Sequence, residues 1–216
     1  MTTQLPPSAS VALPTGDAKL HAPAADRNRA ALVELLRSHA PQHGAALEIA
    51  SGTGQHISAF ATALPGLHWQ PTEPDAARRA SIDAYAAQSH AENIAPAIAL
   101  DATQAGWHAQ FAPQNLIFLS NLLHLIPADA AQRLISEVAL ATAPGGCFIF
   151  YGPFRRAGQL TSDGDARFDR ELRDADPNIG YKDTTDVIVW LEAAGFSPID
   201  QVDMPANNLA FIARKP

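Results

Sequence analysis

Ala46-Leu47-Glu48-Ile49-Ala50-Ser51-Gly52-Thr53-Gly54-Gln55 reads as a buried strand that ends on an acid, then a turn of small residues, then a helix start. A strand–turn–helix of this kind brings bare backbone N–H groups and a helix N-terminus against a ligand. In the dinucleotide fingerprint a pyrophosphate rests on that helix N-terminus, and a third glycine packs the helix on the sheet. Here Ala50 takes the first glycine position and Ile57 the third. Glu48 stands at the strand end, where its carboxylate repels a pyrophosphate and attracts a cationic amino acid. A nicotinamide-dependent oxidoreductase is thereby disfavoured.

At 216 residues the chain suits one domain, with or without an arm, and can bury a sizeable core. Its apolar content of 47% is ordinary for a globular protein, and no apolar run approaches the roughly 18 residues of a membrane span. The formal net charge is −7, and Lys/Arg clustering goes no further than Arg78-Arg79 and Arg155-Arg156. A nucleic-acid partner calls for a basic stripe that releases counterions from phosphates, so a small-molecule partner is expected instead. The single Cys147 excludes an internal disulfide and suits a reducing, cytoplasmic setting. Within Gly146-Cys147-Phe148-Ile149-Phe150 it reads as core packing. No metal ligand set is assigned. Residues 1–20 hold several prolines and no cationic start followed by an apolar block, which predicts a flexible or loosely docked arm and no secretory signal.

Strand-like segments recur at 45–50, 67–72, 96–100, 115–120, 146–151, 198–203 and 208–214. Helical patterns separate them at 26–39, 55–63, 74–90, 128–142 and 184–194, with a short one near 104–110. This alternation predicts an α/β domain over 21–216, a parallel sheet covered on both faces and doubly wound by right-handed crossovers. The last two segments, joined through Met204-Pro205-Ala206-Asn207-Asn208, are close enough to be antiparallel. Residues 152–183 form a polar connection too long to be idle, which predicts a lid-like insertion with a helix at 165–174.

Several of these stretches together resemble one family. They are Asp26-Arg27-Asn28, Leu47 to His56, Asn121-Leu122-Leu123-His124, Tyr151-Gly152-Pro153-Phe154, Phe168-Asp169 and Met204 to Asn208. The family is the uncharacterised methyltransferase-like group called domain of unknown function 938, which includes methyltransferase-like protein 26. The resemblance spans roughly residues 20 to 216. It implies a class I, Rossmann-like methyltransferase fold that binds S-adenosylmethionine (SAM) and releases S-adenosylhomocysteine. The implied sheet has seven mostly parallel strands in the order 3-2-1-4-5-7-6, the last antiparallel. No acceptor is implied. Thr72-Glu73 stands where Ser-Asp is expected, and Tyr181-Lys182-Asp183 where an Arg-Asp pair is usual.

By this resemblance Glu48 meets the methionine ammonium, and Ala50, Gly52, Gly54, Gln55 and His56 form the turn around it. Glu73, at the end of the second strand, takes both ribose hydroxyls as paired hydrogen bonds, unless it is a surface carboxylate beside Pro74. Asp101 accepts from the adenine amino group with the Ala102 N–H on a ring nitrogen, or else it caps a short helix near Thr103. Asn121, Leu122 and His124 flank the switch between strands one and four, where ligands of open α/β sheets bind. His124 is thus the first candidate for aligning or deprotonating the acceptor. Tyr151 and Phe154 wall the acceptor pocket or pack the sheet end. Phe168, Asp169 and Arg173 bind a polar acceptor or form an ordinary helix ion pair. Asn207 and Asn208 reach the pocket or simply turn the chain. Arg27 meets the SAM carboxylate, with Asn28 beside it, or both start a surface helix. The expected activity is in-line methyl transfer to a small molecule; a catalytically silent SAM-binding module is the alternative.

Overall fold

Apolar side chains alternate along the central strands, and each face of the sheet is covered by its own set of helices. The computed structural model describes residues 5–216. A ribbon of β1 (Leu13–Pro14) and β2 (Leu20–His21) leads into α1 (Pro23–His39). There follow β3 (Gly44–Ile49), α2 (Gln55–Ala63), β4 (Leu67–Pro71), α3 (Ala76–Ser89), α4 (His108–Phe111) and β5 (Gln114–Ser120). A 3₁₀ turn (Leu123–Leu125) precedes α5 (Ala128–Ala141), β6 (Thr142–Gly152), α6 (Asp163–Ala175), α7 (Thr184–Ala193), β7 (Ile199–Asp203) and β8 (Leu209–Arg214).

The main sheet has the order β4-β3-β5-β6-β8-β7, parallel from β4 to β6, with β8 antiparallel to both neighbours. The doubly wound, Rossmann-like reading holds. The strand count is corrected from seven to six. Residues expected to form an edge strand at 96–100 touch β4 only through isolated bridges, Trp69 with Ile94 and Thr72 with Ile98. Pro71 and Pro96 each remove a donor from that ladder, so it cannot run continuously.

Leu47, Ile49, Ile117, Leu119, Phe148 and Phe150 face α5 and α7. Ala46, Leu116, Phe118, Cys147 and Ile149 face the other way, against Leu32 and Leu36 of α1 and Ile57 and Phe60 of α2. Cys147 is buried packing, and burial pushes its thiol up to about 11. By the same alternation Glu48 falls on the α1–α2 face. No described helix is long and apolar enough to cross a membrane.

Of the expected arm, residues 1–4 lie outside the described residues. The rest is docked. Leu20 N donates to Ser81 Oγ at 2.8 Å, and Lys19 Nζ to Gln88 Oε1 at 3.1 Å, both on α3. The insertion at 152–183 carries α6, slightly longer than the predicted helix, with Ser162 accepting from Asp165 N as its N-cap.

Candidate functional site

The turn after β3 bends through left-handed backbone at Ala50 (φ 53°), Gly52 (φ 60°) and Gly54 (φ 90°). At Gly54 a Cβ would come within 2.6 Å of Ile82 Cα, so glycine is what allows α3 to pack against the turn. At Gly52 the nearest atom to a Cβ is 3.9 Å away on Arg78, which leaves this face of the turn open. Thr72 ties β4 to the turn. Its N–H and hydroxyl both donate to Glu48 O at 2.9 Å, and Ser51 N donates back to Thr72 O at 2.9 Å. Glu73 Oε2 accepts from Gly52 N at 3.1 Å and Oε1 from Asp75 N at 3.3 Å, so its carboxylate is fixed beside the turn. Burial raises the Glu73 carboxyl above the usual range.

Glu48 is buried, and its Oε2 has no hydrogen-bond partner. Burial, with the like charge of Glu73 adding to it, pushes its carboxyl up to about 8. An orphaned buried carboxylate oxygen costs stability unless a proton or a cation meets it.

Gln55 binds the start of α1 to the turn. Its Oε1 accepts from Ala22 N at 2.6 Å and Thr53 Oγ1 at 2.9 Å, and its Nε2 donates to Asp26 Oδ1 at 2.8 Å. His56 Nε2 lies 2.7 Å from Asn28 Oδ1, and burial lowers its imidazole to about 4, leaving it neutral at pH 7. Through these contacts α1 is held across the turn, and a cavity of ≈ 680 Å³ opens between them at the carboxyl ends of the strands. That is within the range of small-molecule sites.

The structure brings Arg27, Ala50, Gly52, His56, Glu73, Asn121 and Leu122 to the cavity wall. Asn28, Gly54 and Gln55 are not among the lining residues and brace the turn and α1, and Glu48 also lies behind the turn, its Oε2 unpartnered. Asn121 sits at φ 55° at the switch, its N–H bonded to Tyr151 O at 2.8 Å. Asp101 and Ala102 are not among the lining residues. Asp101 accepts from Thr103 N at 3.0 Å and Thr103 Oγ1 at 2.6 Å and so closes a local turn. The short helix expected near Thr103 begins only at His108, and Ala102 O accepts from Trp107 Nε1 at 3.2 Å.

The residues expected to act on the acceptor are elsewhere. His124 is buried, its ring 5.8 Å from that of Phe168 and 6.0 Å from that of Tyr181. Burial, with Lys182 adding repulsion, depresses it to about 3. Neither solvent nor the cavity reaches it as a base. Asp169 accepts from Arg155 Nη2 at 2.7 Å, Arg173 Nε at 2.9 Å and Tyr181 N at 2.7 Å, and so holds the insertion together. Tyr151 packs in the core under α1, and Phe154 packs on Phe211 with ring centroids 5.0 Å apart. Asn207 (φ 62°) donates through Nδ2 to Asp165 Oδ2 at 3.3 Å, and Asn208 Nδ2 to Pro205 O at 3.1 Å, which is the turn alternative.

Sequence reasoning missed Ser120, Arg78, the start of α1 from Ala22 to Ala25 and part of the arm, all of which line the cavity. One signal was present for Arg78. It follows Asp75, the N-cap of α3, by three residues, and its N–H bonds that cap at 2.8 Å.

The family described as "Protein of unknown function (DUF938)" matches residues 19–215. The chain belongs to that family. Its fold is shared with several solved methyltransferases. An O-methyltransferase family protein from Burkholderia thailandensis aligns with a TM-score of 0.75 at 15% identity, over 89% of this chain and 57% of that one. A provisionally described O-methyltransferase from Nostoc punctiforme PCC 73102 gives 0.75 at 18%, over 87% and 56%. Human N-acetylserotonin methyltransferase, in complex with SAM, gives 0.69 at 15%, over 89% and 52%. The chain thus spans little more than half the length of these neighbours.

Proposed function

We propose that this protein is a SAM-dependent methyltransferase acting on a small-molecule acceptor. The observation that carries the reading is the buried Glu48 carboxylate, whose Oε2 has no partner directly behind an open glycine turn. A pyrophosphate would be repelled there, whereas an ammonium would relieve both the orphaned oxygen and the raised pKa. The donor set on the wall fits the rest of SAM. Glu73 keeps lone pairs for two hydroxyls beyond the N–H groups it already accepts, and Arg27 has no ion-pair partner among the described residues with which to refuse a carboxylate. Neighbours of the same fold hold SAM or its demethylated product, which supports the reading.

When bound, SAM supplies a methyl group already activated by its sulfonium. The chain's part is then placement. The turn and Glu73 fix one end, α1 closes over it through Gln55, and the ends of β5 and β6 bring Asn121 and Leu122 to the other side. His56, the imidazole among the lining residues, is neutral and committed to Asn28, so no deprotonation is assigned to it. An acceptor with a lone pair free at neutral pH needs none.

The displacement of His124 and Asp169 from the cavity favours one competing reading, a SAM-binding module without turnover. Mass spectrometry of the natively purified protein, followed by a labelled-methyl assay on a broad acceptor panel, separates the two. Co-purified SAM or S-adenosylhomocysteine with label transfer is the expected result. Bound cofactor with no transfer to any acceptor would favour the module, and no cofactor bound even at saturating supply would end both.

A further inference from the structure

The docked arm is part of the cavity. Leu5, Ser8, Ala9, Ser10 and Val11 all line it. Three independent contacts hold them there. Ser8 Oγ donates to Glu171 Oε2 on α6 at 2.9 Å. Arg78 Nη2, from α3, donates to Ser10 O at 3.1 Å and to Ser10 Oγ at 2.7 Å. Leu5 and Ala9 pack on the apolar cluster of Leu125, Leu172, Ile179 and Tyr181. The arm therefore spans from α6 to α3 as a strap across the cavity.

The charged groups of the wall are unevenly placed. Arg27, Glu73 and Arg78 come from α1, the end of β4 and α3, around the glycine turn. Away from the turn the wall is Leu122, Leu125 and Ile126 with the uncharged Ser120 and Asn121. The strap adds Leu5, Ala9 and Val11, its Leu5 and Ala9 packing on the cluster that holds Leu125. Of the strap hydroxyls that line the cavity, Ser8 spends its proton on Glu171, while Ser10 accepts from Arg78 and keeps its own O–H to give. A volume of ≈ 680 Å³ is of the order that one drug-sized ligand fills. SAM is itself a ligand of about that size, so with SAM at the turn the room left beneath the strap suits a compact acceptor.

We propose that the strap Leu5–Val11 is the outer wall of the acceptor compartment, and that the acceptor is a compact, predominantly apolar molecule. The assignment of the compartment to an acceptor, and the room left for it beside SAM, rest on the methyltransferase reading; the strap and the polarity of the wall do not.

Thiol labelling at position 120 tests both properties without any cofactor, so its failure is separate from a failure of SAM binding. Ser120→Cys places a thiol on the cavity wall, while Cys147 stays buried in the core. It is labelled in the otherwise native chain, in a chain lacking residues 1–11, and in a full-length Leu5→Asp variant that unseats the strap by charge. With the strap in place, a maleimide carrying a polyethylene glycol chain should react about tenfold more slowly than in either strap variant, the scale of a modest local opening equilibrium. Relative to a free cysteine, ethyl methanethiosulfonate should outpace its uncharged 2-hydroxyethyl analogue by about fivefold in the intact chain, as desolvation of an unpaired hydroxyl demands. Equal rates of the bulky reagent with and without the strap would overturn the wall. Equal rates of the ethyl and hydroxyethyl reagents would overturn the apolar class. The Leu5→Asp chain decides the first point should the shortened chain fail to fold.

Discussion

Two buried acids in this molecule are kept in opposite ways. Asp169, in the insertion, is 3% exposed and has every demand met from within the chain: two guanidinium groups and the Tyr181 N–H outweigh its burial and hold it below the usual carboxylate range. Glu48, behind the glycine turn, is 2% exposed, has an oxygen with no partner, and is pushed up to about 8. The first acid is architecture. The second is an unfilled valence in the fold, and it lies where the strand ends of an α/β sheet meet their ligands. Burial alone does not separate a structural acid from a binding one; the count of satisfied lone pairs does.

The contrast predicts opposite stability effects. Asp169→Asn leaves Arg155 and Arg173 facing each other without a counter-charge, and since both are about one-third exposed the loss should be about 2–3 kcal/mol, below the range for a fully buried pair. Urea denaturation at pH 7 measures it. The sign follows from a depressed carboxyl: its contribution is present above the unfolded value of 3.8 and is lost as pH falls through the folded one, so wild type and variant should converge in acid.

Glu48→Gln should do the reverse, stabilising the free chain by something on the order of 4 kcal/mol at pH 8. A raised carboxyl binds its proton more tightly in the folded state, so the wild-type chain loses stability as pH rises from 4.5 to about 8, and the variant does not. The advantage of the variant should therefore grow across that window and vanish below it. Denaturation at pH 5 and pH 8, with no ligand present, reads the difference.

An effect confined to the acid limb concerns His124. Its unfolded value of 6.5 falls to about 3 on folding, so the unfolded chain takes up the extra proton, and stability drops as pH falls between those values. His124→Phe should flatten the acid limb of the stability profile by about 1.4 kcal/mol per pH unit, one proton's worth. An unchanged slope would mean that the imidazole is not held neutral between Phe168 and Tyr181.

The turn half was legible in the sequence because its chemistry is local. Glu48, Ala50, Gly52 and Gly54 follow one another along a strand–turn–helix, and Glu73 repeats the strand-end acid on the neighbouring strand. The insertion half was not. Whether His124 faces a cavity or two aromatic rings depends on Phe168 and Tyr181 arriving from a distant segment. Which face α6 buries depends on Arg155 and Tyr181 meeting Asp169. Asp101 was ambiguous for another reason, since an acid at a strand end caps the next turn with the same geometry that would bind a base edge. The edge strand failed on two prolines that were in plain sight. Composition predicted a flexible or loosely docked arm, and its docking rests on contacts with Ser81, Arg78, Gln88 and Glu171 that no local pattern encodes.

Calorimetric titration of S-adenosylhomocysteine into the wild-type chain and into Glu48→Gln tests the account most directly. The ligand carries the ammonium, carboxylate and ribose assigned to Glu48, Arg27 and Glu73. Wild type should bind one equivalent, and the variant should bind about tenfold or more weakly, the loss expected for one charge-assisted contact, although its free chain is the more stable of the two. No heat from wild type at millimolar ligand, or equal affinity in both chains, would contradict it.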